Sequence, residues 1–253
     1  MPNLALVPAR ANSSRGPVER PNSMEWLDML SAPTSNAFQQ RQHWPDWLDK
    51  EIWPQIGSMM LHDAYFKLFN RARELTGQFN GGVASLIEIG YVTSQTVAIR
   101  RLCDGRRDVI SLRRLLIEAA NSHRQLIQPL LGQLDHCDHV ADLVNNYIAH
   151  TANPDGGRAV SQWNLQVEHL TKAQKAICEV ALKFDRDVLR RQNRVKIIPV
   201  VQGDIMQDFR PWVPHDSIQK LFEFWHAHND AVNAWCGTSF SGPNGGGETP
   251  LVH

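Results

Sequence analysis

No apolar run in this sequence is long enough to cross a bilayer. The first 23 residues hold no continuous apolar stretch before their prolines and arginines, so they do not read as a secretory signal. Charge of one sign is also lacking. The 26 Lys plus Arg are matched by 26 Asp plus Glu, so attraction to nucleic acid cannot rest on global charge, and any basic surface is local. Cysteine is scarce: Cys103, Cys137, Cys178 and Cys236 lie far apart in sequence without a CxxC pair, and read as reduced thiols of a cytoplasmic protein. No GxxxxGK[ST], GxSxG, HExxH or GxGxxG element occurs, and nothing in the pattern asks for a cofactor. There is no internal repeat.

What is present reads as helix. The stretch from about Trp47 to Leu75 is helical in pattern, with Pro54 tolerated only near a helix start or at a kink. After a break at 78–82, the run Val83–Cys103 brings Val83, Leu86, Ile87, Val97 and Ala98 near one side. Gly90, Ser94 and Ala98 recur every four residues, a row that lets another helix approach closely and offsets the roughly 1 kcal/mol cost of a helical glycine. Ser111 is a candidate N-cap for a helix carrying Leu112, Leu115, Leu116, Ala119, Leu126, Ile127 and Leu130, with Pro129 predicting a kink or break near Gln128. A fourth helix is expected from about Asp138 to His150. Thr171 with Gln174 forms a capping box that would open a helix to about Arg190. The segment 195–201 is β-branched but holds Pro199, so it is extended, at most one short edge strand. Asp216 or Ser217 would cap a last helix through Trp235, with Ile218, Leu221, Phe222, Trp225, Val232 and Trp235 available for burial.

The expected fold is mainly α: an antiparallel helical bundle with a C-terminal helical extension. It divides into a loosely packed or disordered leader (1–44), a helical domain (45–190), an extended segment plus a helix packed on the bundle (191–240), and a flexible tail (241–253).

Residues 144–154 read VNNYIAHTANP. On a helix, Asp142, Asn146 and His150 stack on one face opposite the apolar stripe, and a histidine in the last turn sits at the negative end of the helix dipole. His150 is then either a general acid or base, or simply the last residue of a helix. Upstream, Arg100, Arg101, Arg106, Arg107, Arg113 and Arg114 crowd fifteen residues against Asp104 and Asp108. They read either as a phosphate-binding patch or as internal salt bridges, for instance Arg101 with Asp104 or Asp108. Asp135-His-Cys-Asp-His139 has the look of a metal cluster but lacks a second ligand pair and precedes a helix that Asp135 or Asp138 would cap, so no metal is expected. His226 and His228 would point about 200° apart on a helix. Trp163, Trp212, Trp225 and Trp235 have faces that can stack bases, with core burial the alternative use.

The pairing of VAIRRLCDGRRDVISLRRLL (97–116) with VNNYIAHTANP resembles the abortive-infection U-type branch of the HEPN superfamily. The resemblance covers roughly residues 45–190. It implies a helical bundle with an Arg-polar-x-x-x-His element near a helix end, metal-independent ribonuclease activity, a role in toxin or phage-defence systems, and dimers that share one RNA-binding cleft. His150 matches the family histidine and Asn146 the polar residue, but Asn145 stands where the arginine belongs. A neutral amide replaces a permanently charged fork, so the resemblance implies impaired catalysis unless another cation substitutes. Three readings follow: a degenerate RNA-related or defence-related protein; an active endoribonuclease in which His150 works beside Asn146 and Arg101; or a helical interaction module with an antitoxin-like partner. RNA and a second copy of the chain are the expected partners of the first two.

Overall fold

The computed structural model describes residues 43–78, 81–143, 167–191 and 206–235, excepting the side chains of 141–143. The expected leader through position 42, the 195–201 segment, Trp163, Cys236 and the tail lie outside the described residues. The protein is mainly α, and no strand occurs among the described residues.

The first helical segment starts at His43, with Trp44 already 3% exposed in the core. It continues as a π-helical turn, Trp47–Ile52, into α1 (Trp53–Thr76). Pro54 stands in the first turn of α1, directly after the π-helical turn, where a proline without an N–H to donate is accommodated by the change of helical winding. Gly77 ends the helix in the left-handed region (φ 65°), its N–H donating to the Arg73 carbonyl at 2.8 Å. The chain reverses into α2 (Gly82–Leu102). Arg73 meets Glu88, Asp63 meets Tyr91, and the Met59 carbonyl meets Gln95, so rising numbers on one helix oppose falling numbers on the other. α1 and α2 are antiparallel.

Ser111 caps α3 (Leu112–Leu134) as expected, accepting from the Arg114 N–H at 3.0 Å while its own hydroxyl donates to the Asp104 carbonyl. The expected break near Gln128 is displaced. Pro129 stays inside the helix, and the non-helical residue is His123 (φ −135°, ψ 40°). The break there is deep. A straight helix would put Arg113 and Leu134 about 31 Å apart, yet the Arg113 guanidinium donates to the Leu134 carbonyl at 3.0 Å. The two arms of α3 therefore fold back on each other, burying Leu112, Leu115, Leu116 and Ala119 from one arm and Ile127, Leu130, Leu131 and Leu134 from the other. Leu126, expected in that stripe, is 48% exposed because the fold-back turns it outward.

A 3-10 turn, Asp135–Cys137, leads into α4, described as Asp138–Leu143. α5 (Val167–Lys183) ends in a second π-helical turn, Phe184–Val188. The expected capping box does not form. α5 already runs at Val167, Thr171 donates back to the Val167 carbonyl at 3.2 Å, and Gln174 is fully buried. A buried polar cluster has taken the glutamine that a cap would use. Finally α6 (Met206–Phe209) and α7 (His215–Trp235) close the described chain, α7 starting one residue before the expected cap Asp216.

α1 is the axis of the packing. One side faces α2 and the core shared with α3 and α5, where Ile52, Ile56, Met59 and Met60 are fully or nearly fully buried. Its other side, through Ala64, Leu68 and Ala72, carries α6 and α7 by way of Met206, Phe209, Leu221 and Trp225. The C-terminal helix is thus joined to the bundle by its own apolar seam. Phe222 is 41% exposed and Trp235 only half-buried, so the expected apolar face of α7 is narrower than its composition.

The expected apolar side of α2 is only partly the inward one: Ile87 and Ala98 are half-buried against the core, but the rest of that set is not. Val83, Leu86, Ile89 and Val97 are 56%, 70%, 63% and 46% exposed, while Tyr91, Gln95, Thr96 and Ile99 face inward. No described helix crosses at Gly90, around which there is open space.

Candidate functional site

His150, Asn146 and Asn145 lie outside the described residues, so their geometry stays an expectation from the sequence. The arginine cluster is described, and it does not act as one patch. Arg113 is 4% exposed and structural: besides the Leu134 carbonyl it holds Asp138 at 2.8 Å and Asp135 at 3.5 Å. Both acids expected as helix caps or metal ligands are committed to this guanidinium. Arg114 pairs with Glu118 one turn on, at 2.5 Å. Arg106, rather than the anticipated Arg101, takes Asp104, at 2.9 Å. A side chain two residues away in a turn reaches the carboxylate more readily than one on the preceding helix. That leaves Arg100, Arg101 and Arg107 with no ion pair among the described residues, Arg101 and Arg107 exposed.

Among the described residues no cluster of three or more His, Cys, Asp or Glu side chains is arranged to hold a metal. Cys103, Cys137 and Cys178 are buried free thiols. Although far apart in sequence, Cys103 and Cys137 meet, and that hydrogen bond together with burial pushes the Cys137 thiol well above its ordinary range. His226 packs on Phe222 and His228 on Phe224, so the two histidines diverge as their spacing requires. Trp225 is buried in the α1–α7 seam; Trp212 is 54% exposed.

The sequence reading missed a buried cluster around Asp63, which is fully buried on α1. Its carboxylate receives the Tyr91 hydroxyl at 2.6 Å, the Lys67 ammonium at 2.7 Å and the Gln174 amide at 3.3 Å. Gln174 also donates to Gln95 at 2.9 Å, and Gln95 to the Met59 carbonyl. His228 of α7 stands 3.7 Å away. Four helices meet on one charge. Burial foremost, with Asp63 beside it, pushes the Tyr91 hydroxyl far up, so it remains a donor. A carboxylate fully buried among these donors, with its Oδ2 held by the Lys67 ion pair, ties the helices together and does not face solvent. The signal was present in the sequence: Asp63 falls in the apolar stripe of α1, with Lys67 four residues on.

Burial, reinforced by Lys67 and opposed by Asp63, pushes His228 down to about 4 from the usual 6.5. The imidazole is therefore neutral in the fold, and its contact with Asp63 is not an ion pair. The unfolded chain takes up a proton that the folded chain refuses. The contribution of His228 is thus present above pH 6.5 and is lost as pH falls towards 4, by about 3 kcal/mol. Urea titrations at stepped pH should show that fall, flattened in His228→Gln. An unchanged slope in the variant would assign it to carboxylates instead.

Comparison with protein-family models, curated proteins and solved structures finds no match to this chain.

Proposed function

We propose that the chain is a HEPN-like protein that contacts RNA but cleaves it poorly, in an RNA-related or phage-defence role. The motif resemblance of 97–116 and 144–154 supplies the class, and Asn145 in the arginine position supplies the impairment. One structural observation carries the reading: Arg106, Arg113 and Arg114, half of the cations available to replace the missing one, are already held by carboxylates. Arg100, Arg101 and Arg107 at the end of α2 and in the following turn are left for phosphate. Such contacts give salt-sensitive binding without chemistry.

The second copy expected of this family has a candidate seat on the exposed side of α2. Leu86 and Ile89 flank Gly90, an exposed mid-helix glycine that no described neighbour in the protomer requires. A two-fold crossing at Gly90 and Ser94 would explain it. Leu86→Glu with Ile89→Glu should then yield a monomer by sedimentation; wild-type protein that is already monomeric at tens of micromolar would remove the dimer.

The deciding experiment is RNA cleavage without metal by wild type, His150→Ala and Asn145→Arg. Wild type should be slow or inactive, and Asn145→Arg should gain on the order of 100-fold. Brisk wild-type cleavage lost in His150→Ala would establish the active alternative, with His150 as acid or base, Asn146 orienting it and the exposed Arg101 on the phosphate; attack by a ribose 2′-hydroxyl would leave a cyclic phosphate. RNA affinity unmoved by Arg100→Glu, Arg101→Glu and Arg107→Glu together would favour a protein-interaction module.

A further inference from the structure

Away from the arginines, a hollow of about 440 Å³ opens between α5 and the segment running from the end of α3 into α4. Its volume lies in the range of small-molecule sites. Its two walls are set by one buried contact, the Cys137 thiol against the Ala173 carbonyl at 3.7 Å. With Cys137 turned inward, His136 and His139 flank the hollow on one wall; with Ala173 inward, His169, Lys172 and Lys175 come to it from the other. The His139 and His169 rings meet edge-on, 5.5 Å between centroids.

The charge of this hollow is unbalanced. Among the described residues Glu179 is the one carboxylate lining it, and it already lies 3.8 Å from Lys175. Asp135 and Asp138, adjacent to these histidines in sequence, are drawn off to Arg113 behind the wall. Lys172 has no carboxylate partner among the described residues. A further ammonium, Lys183, reaches the rim through Gln133 at 3.2 Å. Three imidazoles and two ammonium groups thus converge on a concave space whose described lining holds a single carboxylate, already beside Lys175. No metal arrangement is present among them. What such a lining lacks is a compact, multiply charged anion able to accept from several donors at once.

We propose that this hollow binds a phosphate monoester: the dianionic phosphate between Lys172, His139 and His169, with its organic substituent towards Val140 and Ala176. A monoester suits it better than a polymer backbone because its terminal phosphate brings three oxygens free to accept from Lys172 and imidazole N–H groups, where a phosphodiester brings two. The inference goes beyond the proposed function and does not depend on it, since none of its residues belongs to the HEPN-like element.

The test is calorimetric titration of the full chain at low salt with inorganic phosphate, ribose 5-phosphate and ribose, backed by imidazole NMR shifts. Phosphate and ribose 5-phosphate should bind and shift the hollow's histidine signals, and ribose should not. Lys172→Gln and His169→Gln, both at solvent-reached positions and checked for fold by circular dichroism, should each weaken binding about tenfold. Glu179→Gln should strengthen it. Absence of binding, equal binding of ribose, or affinity untouched by Lys172→Gln in folded protein would overturn the proposal. So would a short oligoribonucleotide without terminal phosphate that competes fully with ribose 5-phosphate, because the site would then be one for phosphodiesters.

Discussion

Asp63→Ala is expected to destabilise the protein by about 3–5 kcal/mol, the cost of removing one partner from a buried ion pair. The substitution strips three donors of their acceptor at once: the Lys67 ammonium, whose side chain is only 23% exposed, the Tyr91 hydroxyl and the Gln174 amide. The lysine can swing towards the hollow it lines with Phe66, Asn70 and Phe224, which limits the damage. Tyr91 cannot, because its ring is stacked on Phe66 at 3.8 Å. Asp63→Asn keeps an oxygen for Tyr91 but turns an uncharged group to Lys67, so it should fall between wild type and alanine. Tyr91→Phe removes one donor and should cost about 1–2 kcal/mol. Urea unfolding of the three variants checks the order. If Asp63→Ala and Asp63→Asn both lay within about 1 kcal/mol of wild type, the cluster would not be what joins α1, α2, α5 and α7.

The same cluster explains where the sequence could be read and where it could not. Helix positions were legible, because Pro54 and Ser111 act through backbone rules local to a few residues. The inward face of α2 was not. Its apolar residues Val83, Leu86 and Val97 predict burial, yet the face that turns in carries Tyr91, Gln95 and Thr96, since it packs on a charge contributed by another helix. Gln174 misled for the same reason, taken for a cap when it is a bridge to Asp63. The fold-back at His123 had no local signature stronger than Pro129. A proline within a helix forfeits one hydrogen bond, whereas the reversal at His123 brings two apolar stripes together. In the candidate site, the identity of the arginines was legible and their employment was not. Arg113 finds Asp138 twenty-five residues away, a pairing that no window of sequence displays.

That pairing makes the second large prediction. Asp135→Ala with Asp138→Ala is expected to cost about 3 kcal/mol, at the lower end for an orphaned buried charge. Arg113 would keep only the Leu134 carbonyl, inside a fold-back that leaves its side chain 5% exposed. The two acids are 39% and 34% exposed, so they lose less when the arginine goes. Arg113→Met should therefore cost only about 1–2 kcal/mol, chiefly the unanswered carbonyl. The triple variant should be more stable than the double one, because it removes the stranded charge; Asp138 also sits in the first turn of α4, and comparing double with triple cancels that contribution. A triple variant no more stable than the double would mean the ion pair is not what holds the arms of α3 together. The same protein separates structure from RNA contact. Arg113→Met should bind RNA as wild type does, while Arg101→Glu should not, since only the second cation faces water. Equal loss in both would return Arg113 to the phosphate-binding set and weaken the case that its charge is spent inside the fold.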